Sequence, residues 1–148
     1  VMLKGEIYQT FLDAAAENAV DLFHGYTYSG HPLACAAAKA TLDLYQAEGL
    51  FERAAELAPY WEDAVHSLDD AHHVIDVRNI GLVAGIELEP FPGKPTKRAF
   101  ETFLRCFDKG VGVRAAGDII ALSPPLIVER SQIDEIVETL GEVLKTVP

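Results

Sequence analysis

The sequence predicts an α+β fold, a small, mostly antiparallel four-stranded sheet covered by helices and preceded by one long bridging helix. Three observations point to it. An alanine-rich run from Pro32 to Glu48 reads as a long helix. β-branched and alternating residues between Val74 and Leu88, and again between Val111 and Ser123, read as short strands. Apolar residues at steps of three and four occupy the stretches between and after them, as in helices that bury one stripe.

Taken in order, Ile7, Tyr8 and Phe11 share one face of a short helix, and Asp13 to Asn18 continues it with weaker periodicity. Phe23 to Pro32 is dense in aromatic residues, Gly, Ser, Thr and His, which suits a structured connection. Pro32 fits the first turn of the long helix, where its missing N–H costs nothing, and Gly49 supplies the stop. Phe51, Ala54, Ala58, Trp61, Val65 and Leu68 form the stripe of a second helix, which Pro59 is expected to kink or interrupt. Val74 to Leu88 divides into two strands around Asn79-Ile80-Gly81, with Leu82, Ala84, Ile86 and Leu88 on one face. Pro90 to Pro95 is a break, and Phe100, Phe103, Leu104 and Phe107 mark a third helix ending near Lys109-Gly110. Strands at Val111–Arg114 and Ile119–Ser123 flank a tight Ala-Ala-Gly-Asp connection in which Gly117 takes positive φ. Ser131 and Asp134 approximate a capping box, and Ile133, Ile136, Val137, Leu140, Leu144 and Val147 line a terminal helix.

The 148 residues, 49% hydrophobic, suffice for one packed core. Acidic side chains number 23 against 12 basic, a net charge of -11, and the arginines are scattered singly from Arg53 to Arg130. Nucleic acid and anionic membranes attract clustered cations, so neither is an expected partner. Cys35 and Cys106 stand in no metal or redox spacing and are expected to be buried helix residues in a thiol-reducing, cytoplasmic setting. No apolar run reaches the ~20 residues of a membrane span, and no leader pattern opens the chain. Its apolar first residues read as the middle of a longer protein.

The run His24-Gly-Tyr-Thr-Tyr-Ser-Gly-His-Pro32 leads from a turn into a helix start, where backbone N–H groups and the Thr27 and Ser29 hydroxyls could converge on an anion such as phosphate. Ordinary capping and turn formation account for Ser29, Gly30 and Pro32 equally well. Followed by its Ala-rich helix, this run resembles the hallmark segment of class III aminotransferases. The resemblance implies that Thr27 donates to the pyridoxal phosphate of a neighbouring subunit, with Gly25 and Tyr26 as backbone contributors, and therefore a homodimer with shared sites.

A second run, Gly110-Val-Gly-Val-Arg-Ala-Ala-Gly-Asp-Ile-Ile-Ala-Leu-Ser-Pro-Pro125, resembles the strand-turn-strand that presents a substrate arginine in the omega-amino acid:pyruvate group of that family, and Arg114 is the matching position. A guanidinium forks onto a carboxylate through two parallel N–H bonds, which lysine cannot do. Gly112, Ala115, Ala116 and Gly117 leave Arg114 uncrowded. Without the resemblance, a strand-end arginine is more simply a solvated one. Val74 to Glu89 resembles the paired strands of the family's small domain. Gly81 and Gly85 have structural roles there, and Arg78 and Asn79 are candidate residues beside the substrate.

Together these matches imply the carboxy-terminal portion of a fold-type I pyridoxal-phosphate enzyme. Residues 1–42, with the phosphate loop at 24–32, belong to or bridge from a large cofactor domain, and residues 43–148 form the small domain. The expected reaction is transfer of an amino group from an amine or omega-amino acid to pyruvate or a similar keto acid. Transamination needs a lysine to hold the cofactor. Lys4, Lys39 and Lys109 are each better explained by solvation and helix ends, so the lysine and the acidic partner of the pyridine nitrogen are expected upstream of Val1. The chain is expected to carry no catalytic residue of its own, not to hold the cofactor alone, and to bind no metal, since His24, His31, His66, His72 and His73 form no ligand spacing. Two other readings remain open: a non-catalytic α+β ligand-binding or dimerisation module, and a class III enzyme acting on 4-aminobutyrate, ornithine or diaminopelargonate.

Overall fold

The structure, a computed structural model, describes residues 3–17 and 25–148. The chain divides into two compact units, Val1–Leu42 and Asp43–Pro148. In the first lie α1 (Gly5–Ala14) and the start of α2 (Pro32–Ala47); neither helix buries a side chain. Cys35 is accordingly exposed, against the expectation from sequence, because an alanine-rich helix without a covering layer shields nothing. Leu33, Leu42 and Leu44 are exposed too.

The second unit holds α3 (Leu50–His66), β1 (Val74–Ile80), β2 (Val83–Leu88), α4 (Lys97–Asp108), β3 (Arg114–Ala116), β4 (Ile119–Leu122) and α5 (Arg130–Leu144). The strands form one antiparallel sheet in the order β1-β2-β4-β3. Its two hairpins close through two-residue turns, Gly81-Leu82 and Gly117-Asp118, each with glycine first at φ 52° and 66°. Positive φ at that position lets the turn follow the twist of the strands. The third strand lies later than Val111–Arg114 because Ala115 and Ala116 pair in the ladder and only Gly117-Asp118 turn. Asp118 also ties the hairpin down: its carbonyl accepts from the Leu88 amide at 2.9 Å and its carboxylate from the Thr96 amide at 2.7 Å.

One sheet face carries the core. Val77, Ala84, Ile86, Leu88, Ile120 and Leu122 meet Leu57, Trp61 and Val65 of α3, Ala99 and Cys106 of α4, and Ile133, Val137, Leu140, Val143 and Leu144 of α5. Ile86 and Ile120, cross-strand partners, are fully buried, and each contributes about 1.5–3 kcal/mol of apolar burial. Burial pushes the Cys106 thiol up to about 11, so it is an inert core residue. No helix of this unit lies on the opposite, outer face, which bears Val83, Gly85, Glu87, Arg114, Ala116, Ile119 and Ala121.

Several helical details depart from the sequence pattern. Helix α3 runs unbroken through Pro59, because Pro59 and Ala55, whose carbonyl loses its i+4 donor there, are both exposed to water. Its buried stripe includes Leu50 and Leu57, while Phe51 stays outside, edge-on to Tyr45 at 5.0 Å. In α4 the buried face is Arg98, Ala99, Thr102 and Cys106, and Phe100, Leu104 and Phe107 are exposed. Arg98 is held inside by the carbonyls of Pro148, at 2.7 Å, and Glu89. Helix α5 begins at Arg130, two residues earlier than a cap at Ser131 would start it, because Glu129 is the cap and the Gln132 side chain accepts from its amide at 2.9 Å.

His66, the last residue of α3, joins that helix to the sheet: its Nδ1 lies 3.2 Å from Asp69 Oδ2 and its Nε2 3.0 Å from Asn79 Oδ1. Both contacts suit the doubly protonated ring, and hydrogen bonding to Asp69, then to Asn79, raises its pKa above the ordinary 6.5. A raised folded-state pKa contributes stability that is complete below the unfolded value and disappears as pH rises through the folded one. His66→Ala is therefore expected to lower the melting temperature more at about pH 6 than at about pH 9. Thermal denaturation followed by circular dichroism measures the difference, and a pH-independent loss would contradict the assignment.

Candidate functional site

Two segments carry the residues singled out by sequence, one in each unit. In the first, Tyr26 to His31 forms two successive turns: the Ser29 amide donates to the Tyr26 carbonyl at 3.0 Å and the His31 amide to that of Tyr28 at 3.1 Å. Gly30 takes φ 75°, and Pro32 opens α2. At the start of that helix the His31 Nδ1 accepts from the Ala34 amide at 3.4 Å. His24 of the expected loop lies outside the described residues.

Thr27 and Tyr28 occupy the corner positions of the first turn, where backbone amides take no part in the turn's own bond. The Thr27 hydroxyl and amide, and the Tyr28 and Gly30 amides, have no hydrogen-bond partner among the described residues. All lie on exposed residues. Gly25 leads into the turn without regular structure, and Tyr26, 71% exposed, lends its carbonyl to it. Neutral donors at the start of a helix, free of internal acceptors, are the chemistry that a phosphate requires. These residues therefore fit one side of a phosphate group. They do not enclose it.

In the second unit, Arg114 opens β3 at the edge of the sheet. It is exposed, and its neighbour Ala115 faces the core, so its own side chain belongs to the outer face. The ladder sets it opposite Ala121 of β4, then Gly85 of β2, then Arg78 of β1. Between two arginines there is thus only a methyl group and a hydrogen. Beside this row runs another, Ala116, Ile119, Glu87 and Asp76. A shallow depression of about 420 Å³ lies on this face, lined by Arg78, Ile80, Val83, Gly85, Ile119 and Ala121 among others; Arg114 is not part of its lining.

The six arginines differ sharply in how they are engaged. Arg53 donates to the Leu126 carbonyl, Arg98 to those of Pro148 and Glu89, and Arg105 to that of Thr146. Arg130 lies over the Tyr60 ring, 4.8 Å from its centre. Arg78 takes Asp76 and, at 2.9 Å, Glu87, and these carboxylates raise its pKa, Glu87 most. Of the six arginines only Arg114 has no side-chain hydrogen bond, ion pair or ring contact among the described residues. Sequence reasoning named Arg114 but missed that Arg78 is occupied by Asp76 and Glu87. The β1–β2 hairpin alone signals this, since a two-residue turn at Gly81-Leu82 brings all three side chains to neighbouring positions on one face. Asn79, the other candidate, is committed to His66.

Lys109, considered as a cofactor lysine, is paired with Glu142 at 2.9 Å. No group of three or more His, Cys, Asp or Glu among the described residues is arranged to hold a metal, and no described helix is long and apolar enough to cross a membrane.

The family described as aminotransferase class-III matches residues 1–144. The chain is 61% identical over 144 residues to an omega-aminotransferase of Caulobacter vibrioides, covering 97% of this chain and 33% of that protein. It is 41% identical over 145 residues to a beta-alanine–pyruvate aminotransferase of Pseudomonas aeruginosa, covering 97% and 32%. The crystal structure of adenosylmethionine-8-amino-7-oxononanoate aminotransferase from Methanocaldococcus jannaschii is similar at a TM-score of 0.76 and 32% identity, over 85% of this chain and 30% of that one. The chain thus spans about a third of the length of the relatives it matches.

The unequal engagement of the arginines is directly measurable. Phenylglyoxal, which attacks accessible guanidinium groups, is expected to label Arg114 faster than Arg53, Arg78 or Arg98 in the folded chain. Peptide mass mapping over a time course reads the order, and labelling of Arg114 no faster than that of buried Arg98 would refute it.

Proposed function

The chain belongs to the class III aminotransferase family, and from that premise we propose that it is the carboxy-terminal part of an omega-amino acid or amine:pyruvate transaminase. In this reading Thr27, through its hydroxyl and amide, with Gly25 and Tyr26 supplying backbone, binds the phosphate of pyridoxal phosphate in a partner subunit, and Arg114 binds the substrate carboxylate. The observation that carries it is the free guanidinium of Arg114 on an uncovered sheet face beside alanine and glycine.

When bound, pyridoxal phosphate supplies the electron sink that lets a substrate carbon give up its proton and its amino group. Residues of this chain have positioning roles. The Thr27 Oγ–H donates to a phosphate oxygen, joined by amides at the start of α2 where the helix dipole favours negative charge. Arg114 forks onto a carboxylate of the omega-amino acid or keto acid and so fixes which end of the substrate reaches the cofactor. With only Ala121 and Gly85 beside it, the arm can also turn aside for a substrate that carries no carboxylate. Identities of 61% and 41% to the omega-aminotransferase and the beta-alanine–pyruvate enzyme support this substrate class. We place the working enzyme in the cytoplasm as a homodimer; free Cys35 and Cys106 suit a thiol-reducing compartment.

In the whole protein, Arg114→Ala is expected to cut kcat/KM for carboxylate-bearing substrates about 10- to 100-fold, the worth of hydrogen bonds to a charged group, and to affect simple amines much less. Equal losses on both would overturn its role. Thr27→Val keeps the shape and removes the hydroxyl. It is expected to weaken pyridoxal phosphate binding about tenfold in equilibrium dialysis, and unaltered binding would remove Thr27 from the site.

A further inference from the structure

Resting on the carboxylate role of Arg114, we propose that Arg78 is a positioning residue for substrate recognition: by occupying Glu87 and Asp76 it keeps the outward-facing carboxylates of the strands from capturing Arg114. The outer face bears two arginines and two acids. Arg78 and Arg114 stand at opposite ends of one transverse row, and Glu87 and Asp76 belong to the next row. Glu87 is two strands and one row from Arg114, roughly 12 Å at ordinary strand spacing and rise. The side chains directly between them are those of Ala121, Gly85 and Ile119, and an extended arginine and an extended glutamate can meet above the first two. Asp76 is one strand farther away. Glu87 is therefore the competitor.

Arg78 prevents that meeting by geometry. Its Nη1 contacts both Asp76 Oδ2 and, at 2.9 Å, Glu87 Oε2. The arm reaches Glu87 by lying over Gly85: a Cβ built there would sit 3.8 Å from Arg78 Nε and 3.9 Å from its Cγ. The glycine thus has two uses, keeping the row low beside Arg114 and giving Arg78 a path across β2. Arg78 and both carboxylates are about half exposed, and exposed pairs are weak, so the capture of Arg114 by a released Glu87 is a modest, competitive effect.

The test uses Arg78→Gln, which removes the charge and keeps the stem, alone and combined with Glu87→Gln. In the full chain, phenylglyoxal should label Arg114 of the single variant about 1.4- to fivefold more slowly than in the parent, the range set by an exposed ion pair. The double variant should return to the parental rate. Labelling of buried Arg98 is read in the same samples, and unfolding would accelerate both sites, the opposite of the expected change. In the whole enzyme, Arg78→Gln should raise KM for carboxylate substrates, relative to KM for a simple amine, by a similar factor with kcat little changed, and Glu87→Gln should reverse it. An unchanged Arg114 labelling rate in Arg78→Gln, or slow labelling that persists in the double variant, overturns the proposal. If labelling behaves as expected while Arg114→Ala depresses all substrates equally, the shielding stands and the carboxylate role of Arg114 falls.

Discussion

The register of β2 against β4 is the constraint on which the rest of the second unit depends. Ala84 faces Leu122 and Ile86 faces Ile120, all on the core side, so Gly85 and Ala121 must face outward together. A slip of one residue would turn Ile120 to water and carry Ala121 into the core, along with the Arg114 that pairs with it. Burying an arginine without a partner costs several kcal/mol, whereas losing the burial of one isoleucine costs about 1.5–3 kcal/mol. Both penalties point the same way. The backbone and carboxylate of Asp118 add a local lock, fastening the β3–β4 turn to the end of β2 and the start of α4. The position of the candidate substrate arginine is thus set by residues on the far side of the sheet and by the turn beyond it.

Much of this architecture was legible because strands leave a period of two and tight turns require glycine. Leu82, Ala84, Ile86 and Leu88 are buried as their alternation implies, and Gly81 and Gly117 sit where positive φ is needed. The helices misled where hydrophobicity and burial part company. In α4 the large aromatic residues Phe100 and Phe107 are exposed while Ala99, Thr102 and Cys106 pack inside, because small side chains let the helix approach the sheet. A reading based on apolar size selects the wrong face there. Thr102 escapes such a reading for a further reason: its hydroxyl donates to the Arg98 carbonyl at 2.9 Å, which makes it an acceptable core residue. The capping residue of α5 was missed because the box at Glu129 and Gln132 uses a glutamate, a less usual cap than Ser131.

For the candidate site, chemistry was legible and engagement was not. Composition and motif name Thr27 and Arg114, yet nothing in a one-dimensional pattern tells a free guanidinium from a paired one. For Arg78 the local β1–β2 hairpin supplies that distinction, but for Arg114 it needs the pairing of β2 with β4, a contact between segments more than 30 residues apart. The turns from Tyr26 to His31 show the complementary case. They are local, so the unused amides of Thr27 and Tyr28 follow from bonds spanning three residues. Local geometry accounts for the donors that are free there, and long-range geometry for the cation that is free on the sheet.

An unpaired arginine is unusual in a chain with 23 acidic and 12 basic side chains, where each cation has about two carboxylates to choose from. The attraction is long-ranged at low salt and any flexible acid within reach would answer it. Two features of the outer face hold it off. The positions next to Arg114 in its row are an alanine and a glycine, so no acid is adjacent. Farther along, the acids that do face outward are already served by Arg78. The carboxylate role proposed for Arg114 requires that it be protected from its own protein's carboxylates first. The cost is small in packing, since Gly85 and Ala121 bury little, and the gain is a guanidinium with its full set of donors still available to a ligand.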